Sequence, residues 1–216
     1  MEWLIYDGER VKLSTTHARK IVRRLGKIRS DIFKGARPIN TRLIKVNLAM
    51  LGHKLGYNVY ANGLTDEDLQ KIDVEFANHE WLYDLLWYTE DDHYTMTSVP
   101  LAVECEWNPN KKQHIKEVAY SGFKYDFQKL VVCNAQLRLM IFQIKKMDDL
   151  INLEEYFNKA IQDYSLLAKG SMFLFLAFFP KEEKLFYKEI KKISSRLATD
   201  SCMDHNLSER LQAANP

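Results

Sequence analysis

Two glutamates separated by one residue, Glu104 and Glu106, interrupt the apolar run LAVECEWN (101–108). In a strand the side chains alternate, so Ala102, Glu104 and Glu106 share one face and Leu101, Val103, Cys105 and Trp107 the other. At about 3.3 Å per residue, the two glutamates leave the backbone roughly 7 Å apart. Burying such a pair requires a cation or hydrogen-bond donors to offset desolvation and repulsion. The alternative is an edge strand with one solvated face, only its apolar side turned to the core. Asp84, within EWLYDLLWY (80–88), is out of place in the same way: it shares a face with Leu82 and Leu86, opposite Tyr83, Leu85 and Trp87. Two adjacent antiparallel strands would bring Asp84 beside Glu104 and Glu106, and three converging carboxylates call for a divalent ion. Mg²⁺, or Mn²⁺ in its place, takes a few carboxylates together with water and phosphate oxygens. Such an ion activates water and stabilises the charge of a phosphodiester under attack.

A strand acid, a hairpin-like connection, a second strand carrying acid-x-acid, then a helix and another strand together resemble the PD-(D/E)XK superfamily of restriction-endonuclease-like nucleases. The likeness spans roughly Leu43 to Phe179. It implies metal-dependent phosphodiester hydrolysis, with Asp84 as the first acid, Glu104 as the second and Glu106 at the position usually held by lysine. Asp84 and Glu104 are then the metal ligands. Tyr83 stands where that pattern often has proline, and Glu106 in place of lysine is the larger departure. A displaced lysine on the following helix would compensate, and YDFQKL supplies Lys129, with Gln128 beside it and Asp126 one turn earlier as supporting residues. By strand parity Glu80 lies on the face of Asp84 but about 13 Å away, a peripheral position. His79 and His93 flank the region as candidate phosphate or metal contacts, with ordinary surface histidines the favoured reading.

The elements that must position these residues follow from periodicity and breakers. WLIYD reads as a short strand ending at the Asp7-Gly8 turn. Ser14, Thr15 or Thr16 caps a helix running to about Phe33, broken by Gly35 to Pro38. A second helix runs from about Asn40 to Leu55, ended by Gly56, and YNVYA is a strand. After a short TDEDLQK helix or turn come strands over Glu80–Tyr88 and Leu101–Asn108. A helix from His114 to about Ala135, a strand over Leu137–Ile144, a helix over Leu153–Ala168 and a strand over Met172–Phe179 complete the pattern. Leu185–Ile190 reads as an edge strand or a helix start. This order predicts an α/β fold, a three-layer α-β-α sandwich around a mixed β-sheet, and the resemblance implies that it is restriction-endonuclease-like. The predicted organisation is a basic helical N-terminal extension (1–37), a nuclease-like core (38–193) and a polar C-terminal tail (194–216).

Composition narrows the class. The 216 residues are 46% hydrophobic, enough for one large domain with a substantial core. Cys105, Cys133 and Cys202 form no CxxC or Cys/His cluster, which argues against structural zinc and for reduced thiols. MEWLIYDGER carries acids where a signal peptide would be apolar, and SMFLFLAFF (171–179) is too short to span a bilayer as a helix. A cytoplasmic protein with no membrane partner is expected. The net charge of +2 conceals a segregation: twelve bases lie between Arg10 and Lys45 with Asp31 the lone acid, whereas Lys71 is the lone base between Asp66 and Glu106. Arg19, Lys20, Arg23, Arg24 and Lys27 fall mostly on one side of their helix, opposite Ile21, Leu25 and Ile28. Such a surface suits a nucleic-acid backbone, DNA favoured over RNA, through release of condensed counterions. Pairing with the acidic segment is the alternative. A Mg²⁺-dependent nuclease leads; the same fold retained as a binding module, or a regulatory protein unrelated to nucleases, are the other readings. The oligomeric state is left open, a homodimer included.

Overall fold

A computed structural model describes residues 2–72, 74–79, 81–110 and 118–193. Its centre is a seven-stranded mixed sheet with helices on both faces. In chain order the strands are β1 (Leu4–Ile5), β2 (Asn58–Ala61), β3 (Leu85–Glu90), β4 (Met96–Glu106), β5 (Leu137–Gln143), β6 (Met172–Phe179) and β7 (Lys184–Lys191). Across the sheet the order is β1-β7-β6-β5-β4-β3-β2. The β4–β5 and β5–β6 pairs are parallel and every other pair is antiparallel. Parallel neighbours need crossover helices, and α5 (Ser121–Val132) and α6 (Met147–Asp163) serve as these.

One face is covered by α1 (Thr16–Lys27), α2 (Arg29–Lys34), α3 (Arg37–Lys54) and α4 (Asp66–Ile72). Here Ile21, Val22, Leu25, Ile44 and Leu48 pack on Trp87, Val103, Leu139 and Leu176. The other face buries Phe123 and Phe127 of α5 and Leu153 and Phe157 of α6 against Leu86, Ala102, Met140 and Phe175. Alternation along the strands sends successive residues to the two cores, so both faces are apolar and the central strands read as continuous hydrophobic runs. Trp87 ties the sheet to α3 by donating its indole N–H to Leu48 O at 3.0 Å.

Several sequence expectations shift. Residues 1–37, expected as an extension, contribute β1 to the sheet through pairing with β7 and α1 to the core. Thr15 caps α1 by accepting the Ala18 N–H at 3.1 Å, and the single predicted helix to Phe33 is two helices meeting at Ile28. Leu185–Ile190 belongs to β7, which is an interior strand, because β1 covers its far side. The solvated-edge reading of Glu104 and Glu106 fails as well: both pair with β5 and both are buried. Of the helix predicted from His114, the described part is α5 from Ser121, preceded by a turn over Val118–Tyr120 in which Tyr120 has φ +60°. His114 itself lies outside the described residues. Gly122, in the first turn of α5, is a close-approach glycine; a Cβ there would stand 2.1 Å from Asn108 O. That approach, with Gly122 N–H donating to Pro109 O at 2.9 Å, seats α5 against the exit of β4. α6 starts at Met147, six residues before the predicted Leu153, because Asp149 accepts the N–H groups of Lys145 and Lys146 and closes its first turn. The tail from residue 194 lies outside the described residues, as does Cys202; Cys105 and Cys133 are buried free thiols.

Candidate functional site

Glu104 stands on the α5 face of β4, 2% exposed. The seating of α5 brings Lys129 over it, with Lys129 Nζ 2.8 Å from Glu104 Oε1 and 3.0 Å from Asp126 Oδ1. Asp126 and Lys129 are three residues apart on one helix face, the spacing at which side chains meet. Lys129 thus contacts the buried Glu104 Oε1 both by charge and at hydrogen-bonding distance. Burial, and after it the nearby charge of Asp84, pushes the Glu104 carboxyl up to about 8; Lys129 offsets part of this and Asp126 adds to it. For Lys129, burial works against its charge, but its contacts with Glu104 and Asp126 outweigh that and raise its pKa. The ammonium therefore stays charged beside an acid that is costly to ionise.

Asp84 reaches the same place by a different route. The expected strand over Glu80–Tyr88 begins only at Leu85, and Asp84 lies in the bend before it, after Leu82 at φ +39°. The β3–β4 ladder starts at Leu85↔Val103, so beyond Val103 the N–H groups of β4 lose strand partners on that side. Asp84 Oδ2 fills the gap by accepting the Cys105 N–H at 2.8 Å. Its other oxygen lies 3.0 Å from Lys45 Nζ of α3. Lys45 is buried and also donates to Asn62 O at 3.1 Å and Asn62 Oδ1 at 2.6 Å. The predicted strand face shared by Leu82, Asp84 and Leu86 is thus replaced by a bend that aims Asp84 along the sheet end.

The structure therefore brings Asp84, Glu104, Asp126 and Lys129 together, adds Lys45, and arranges them as acid–lysine pairs. The expected metal-holding group of Asp84, Glu104 and Glu106 is not found: among the described residues no group of three or more His, Cys, Asp or Glu side chains is disposed to hold a metal ion. Glu106 instead turns toward its own loop, accepting the Asn108 N–H at 2.7 Å. Gln128 points away, reaching Tyr156 of α6 at 3.4 Å. His79 lies in a cleft at the sheet edge and His93 in the β3–β4 turn; Glu80 lies outside the described residues. Tyr83, hydrogen-bonded to Cys133, is held neutral by burial above all, with the Glu104 charge adding to the effect. The Cys105 thiol is pushed well up by burial and then by Asp84.

Lys45 escaped sequence reading. Its signal is a lysine within the run LIKVNLAM, where the helix is buried on most sides rather than along one stripe. Of the basic α1 residues, Lys20, Arg23, Arg24 and Lys27 line a pocket of about 500 Å³ with Lys54 of α3 and an apolar floor of Met50, Leu51 and Leu55. Arg19 is bonded instead to Leu13 O, Ser14 O and Thr16 Oγ1. With Arg23, it lines a second pocket that includes Arg10 and Lys12. No described acid forms an ion pair with any of the five cations of the first pocket. No described helix is long and apolar enough to cross a membrane. Compared with known proteins, the chain matches no family model, no curated protein and no solved structure.

Proposed function

We propose that this chain is a Mg²⁺- or Mn²⁺-dependent nuclease of restriction-endonuclease-like fold that hydrolyses phosphodiester bonds, in DNA before RNA. The observation that carries the reading is the buried Glu104 facing Lys129 from the next helix, with Asp84 close enough to repel it. The succession α3, antiparallel β2–β3–β4, α5 and parallel β5 supports it, since it follows the order of elements on which the resemblance rests. Mg²⁺ takes one or two carboxylates plus water and phosphate oxygens, and an ion held by Asp84 and Glu104 would displace Lys129 from Glu104 Oε1. Asp84 and Glu104 would hold it, and when bound it would polarise the phosphodiester and lower the pKa of water.

The chain's own residues then divide the work. Lys129 Nζ, released from Glu104, orients the attacking water or steadies the charge gathering on the phosphate oxygens. Asp126 keeps that ammonium aimed at the site, and Lys45 holds Asp84 in place. Glu106, fixed by the Asn108 N–H, assists water at the mouth of β4. Hydrolysis adds water across the P–O bond, and the departing oxygen takes up a proton. The α1–α3 pocket, with its five cations, holds backbone phosphates. The test is cleavage of plasmid and single-stranded DNA with Mg²⁺ or Mn²⁺, wild type against Glu104→Ala. Loss of activity in the variant supports the reading; equal activity in both overturns it.

A second reading is favoured by the lysines that already contact both acids, and by the lack of a three-ligand group among the described residues. On it, the same fold binds nucleic acid or a protein partner without cleaving. Oligonucleotide binding by wild type with no cleavage under either metal would select it.

A further inference from the structure

At the β2 edge of the sheet, beyond the cover of α5, lies a cleft of about 410 Å³ lined by Tyr60, His79, Trp81, Tyr88, Glu90, Tyr94 and Met96. Tyr60 and Tyr88 stack with ring centroids 4.5 Å apart and planes 10° from parallel. Trp81 meets Tyr60 at 5.4 Å and 64°, so the rings form a corner rather than a flat wall. Trp81 is 40% exposed and Tyr94 89% exposed. Tyr94 sits at the β3–β4 turn with φ +60°, where glycine or asparagine would be the less costly choice. Exposed aromatics gathered about one cleft need an occupant or a reason.

The charges around the cleft say which occupant. Glu90 lines it, its carboxylate held by Asn58 Nδ2 at 3.2 Å, and no lysine or arginine is among the lining residues. The adjoining turn adds Asp91, whose carboxylate is fixed by the N–H groups of His93 and Thr95, and the exposed Asp92. These acids repel a phosphate, which disfavours a nucleotide despite the stacking surface. Ring faces attract a diffuse cation within about 6 Å of their centroids, and a nearby carboxylate adds to that field. Quaternary ammonium groups match best, because they present a large, weakly hydrated charge and no N–H to be satisfied.

We infer that the Tyr60–Trp81–Tyr88–Tyr94 corner with Glu90 is a binding site for a methylated ammonium group, borne by a small molecule or by a trimethylated lysine side chain. The site is separate from the acid–lysine cluster and does not depend on the nuclease reading. Its test is titration of the full chain with choline, with the neutral isostere 3,3-dimethylbutan-1-ol, and with a short trimethyllysine peptide beside its unmethylated form. Binding is followed by calorimetry and by Trp81 fluorescence. Choline, the methylated peptide or both should bind about tenfold or more tighter than the neutral isostere, and whichever is tighter identifies the source. Glu90→Gln should remove most of that preference, and Trp81→Ala should weaken binding at least about fivefold. Tyr94→Ala, at a solvent-exposed turn position, gives an independent check should Trp81→Ala loosen the edge. Equal affinity for charged and neutral ligands, binding of neither, or preference for adenosine or oligothymidylate would overturn the assignment.

Discussion

The two concentrations of charge in this molecule solve opposite problems. Beside β4, Glu104, Asp126 and Lys129 lie in or against the core and are matched with one another, as is Asp84 with Lys45. Between α1 and α3, five cations share an open pocket and no described acid pairs with them. Buried charge is tolerated only when paired. Burial and the charge of Asp84 raise the pKa of Glu104, and for Lys129 burial is outweighed by Glu104 and Asp126, which raise its pKa. Exposed like charge is tolerated because water screens it, which leaves it free to meet an outside anion. On the proposed reading, the first cluster would act on a group that the second brings to it.

The largest effect should come from breaking the first cluster alone. Lys129→Met should lower kcat about 10²–10³-fold with oligonucleotide affinity nearly unchanged; a matched loss of affinity would erase the division of labour. Next is pH. The folded chain holds a proton on Glu104 up to about 8, against about 4.5 for an ordinary glutamate. The contribution of Glu104 to stability is therefore fully present below 4.5 and lost as pH rises through 8. Burial lowers His17 and His53, which act in the opposite sense near neutrality, so the comparison must be with Glu104→Gln. Between pH 5 and 9 the wild-type Tm should fall relative to that variant, on the order of 5–10 °C. A constant difference would mean that Glu104 is ionised throughout.

Gly122→Ala sharpens the comparison from the backbone. It should cost about 1–3 kcal/mol in denaturant unfolding and reduce kcat, since α5 must lift from Asn108 and carry Lys129 with it. The smallest effect belongs to the open pocket. Lys20→Ala with Lys54→Ala should reduce the slope of log affinity against log salt by about 1.4 for single-stranded DNA and raise KM, leaving kcat alone. An unchanged slope would remove the pocket from the binding surface.

Sequence reading reached the first cluster because alternation exposes misfits: acids at 104 and 106 among apolar neighbours, and Lys129 at helical spacing from Asp126. It missed what depends on backbone turns without a glycine or proline to announce them. Leu82 and Tyr120 adopt positive φ, the first ahead of Asp84 and the start of β3, the second in the turn that precedes α5. Lys45 was hidden for another reason. A helix buried on several sides has no polar face from which an inward lysine can be told apart. The basic segment was legible as charge but not as structure, since nothing in its composition distinguishes an appended helix from one that buries Ile21, Val22 and Leu25.

The order of the sheet carries a consequence for solution behaviour. Its two outermost strands, β1 and β2, are two and four residues long, while the interior strands run from six to eleven. A neighbouring chain seeking backbone partners on β1 or β2 would find only a few hydrogen bonds. However, β1 pairs with β7 only at Phe186 and Tyr187 and leaves the rest of that strand without a strand partner on its outer side. Ribbon-like stacking on concentration, if it occurs through backbone pairing at the described edges, should therefore start at β7 beyond the reach of β1 rather than at β1 or β2 themselves.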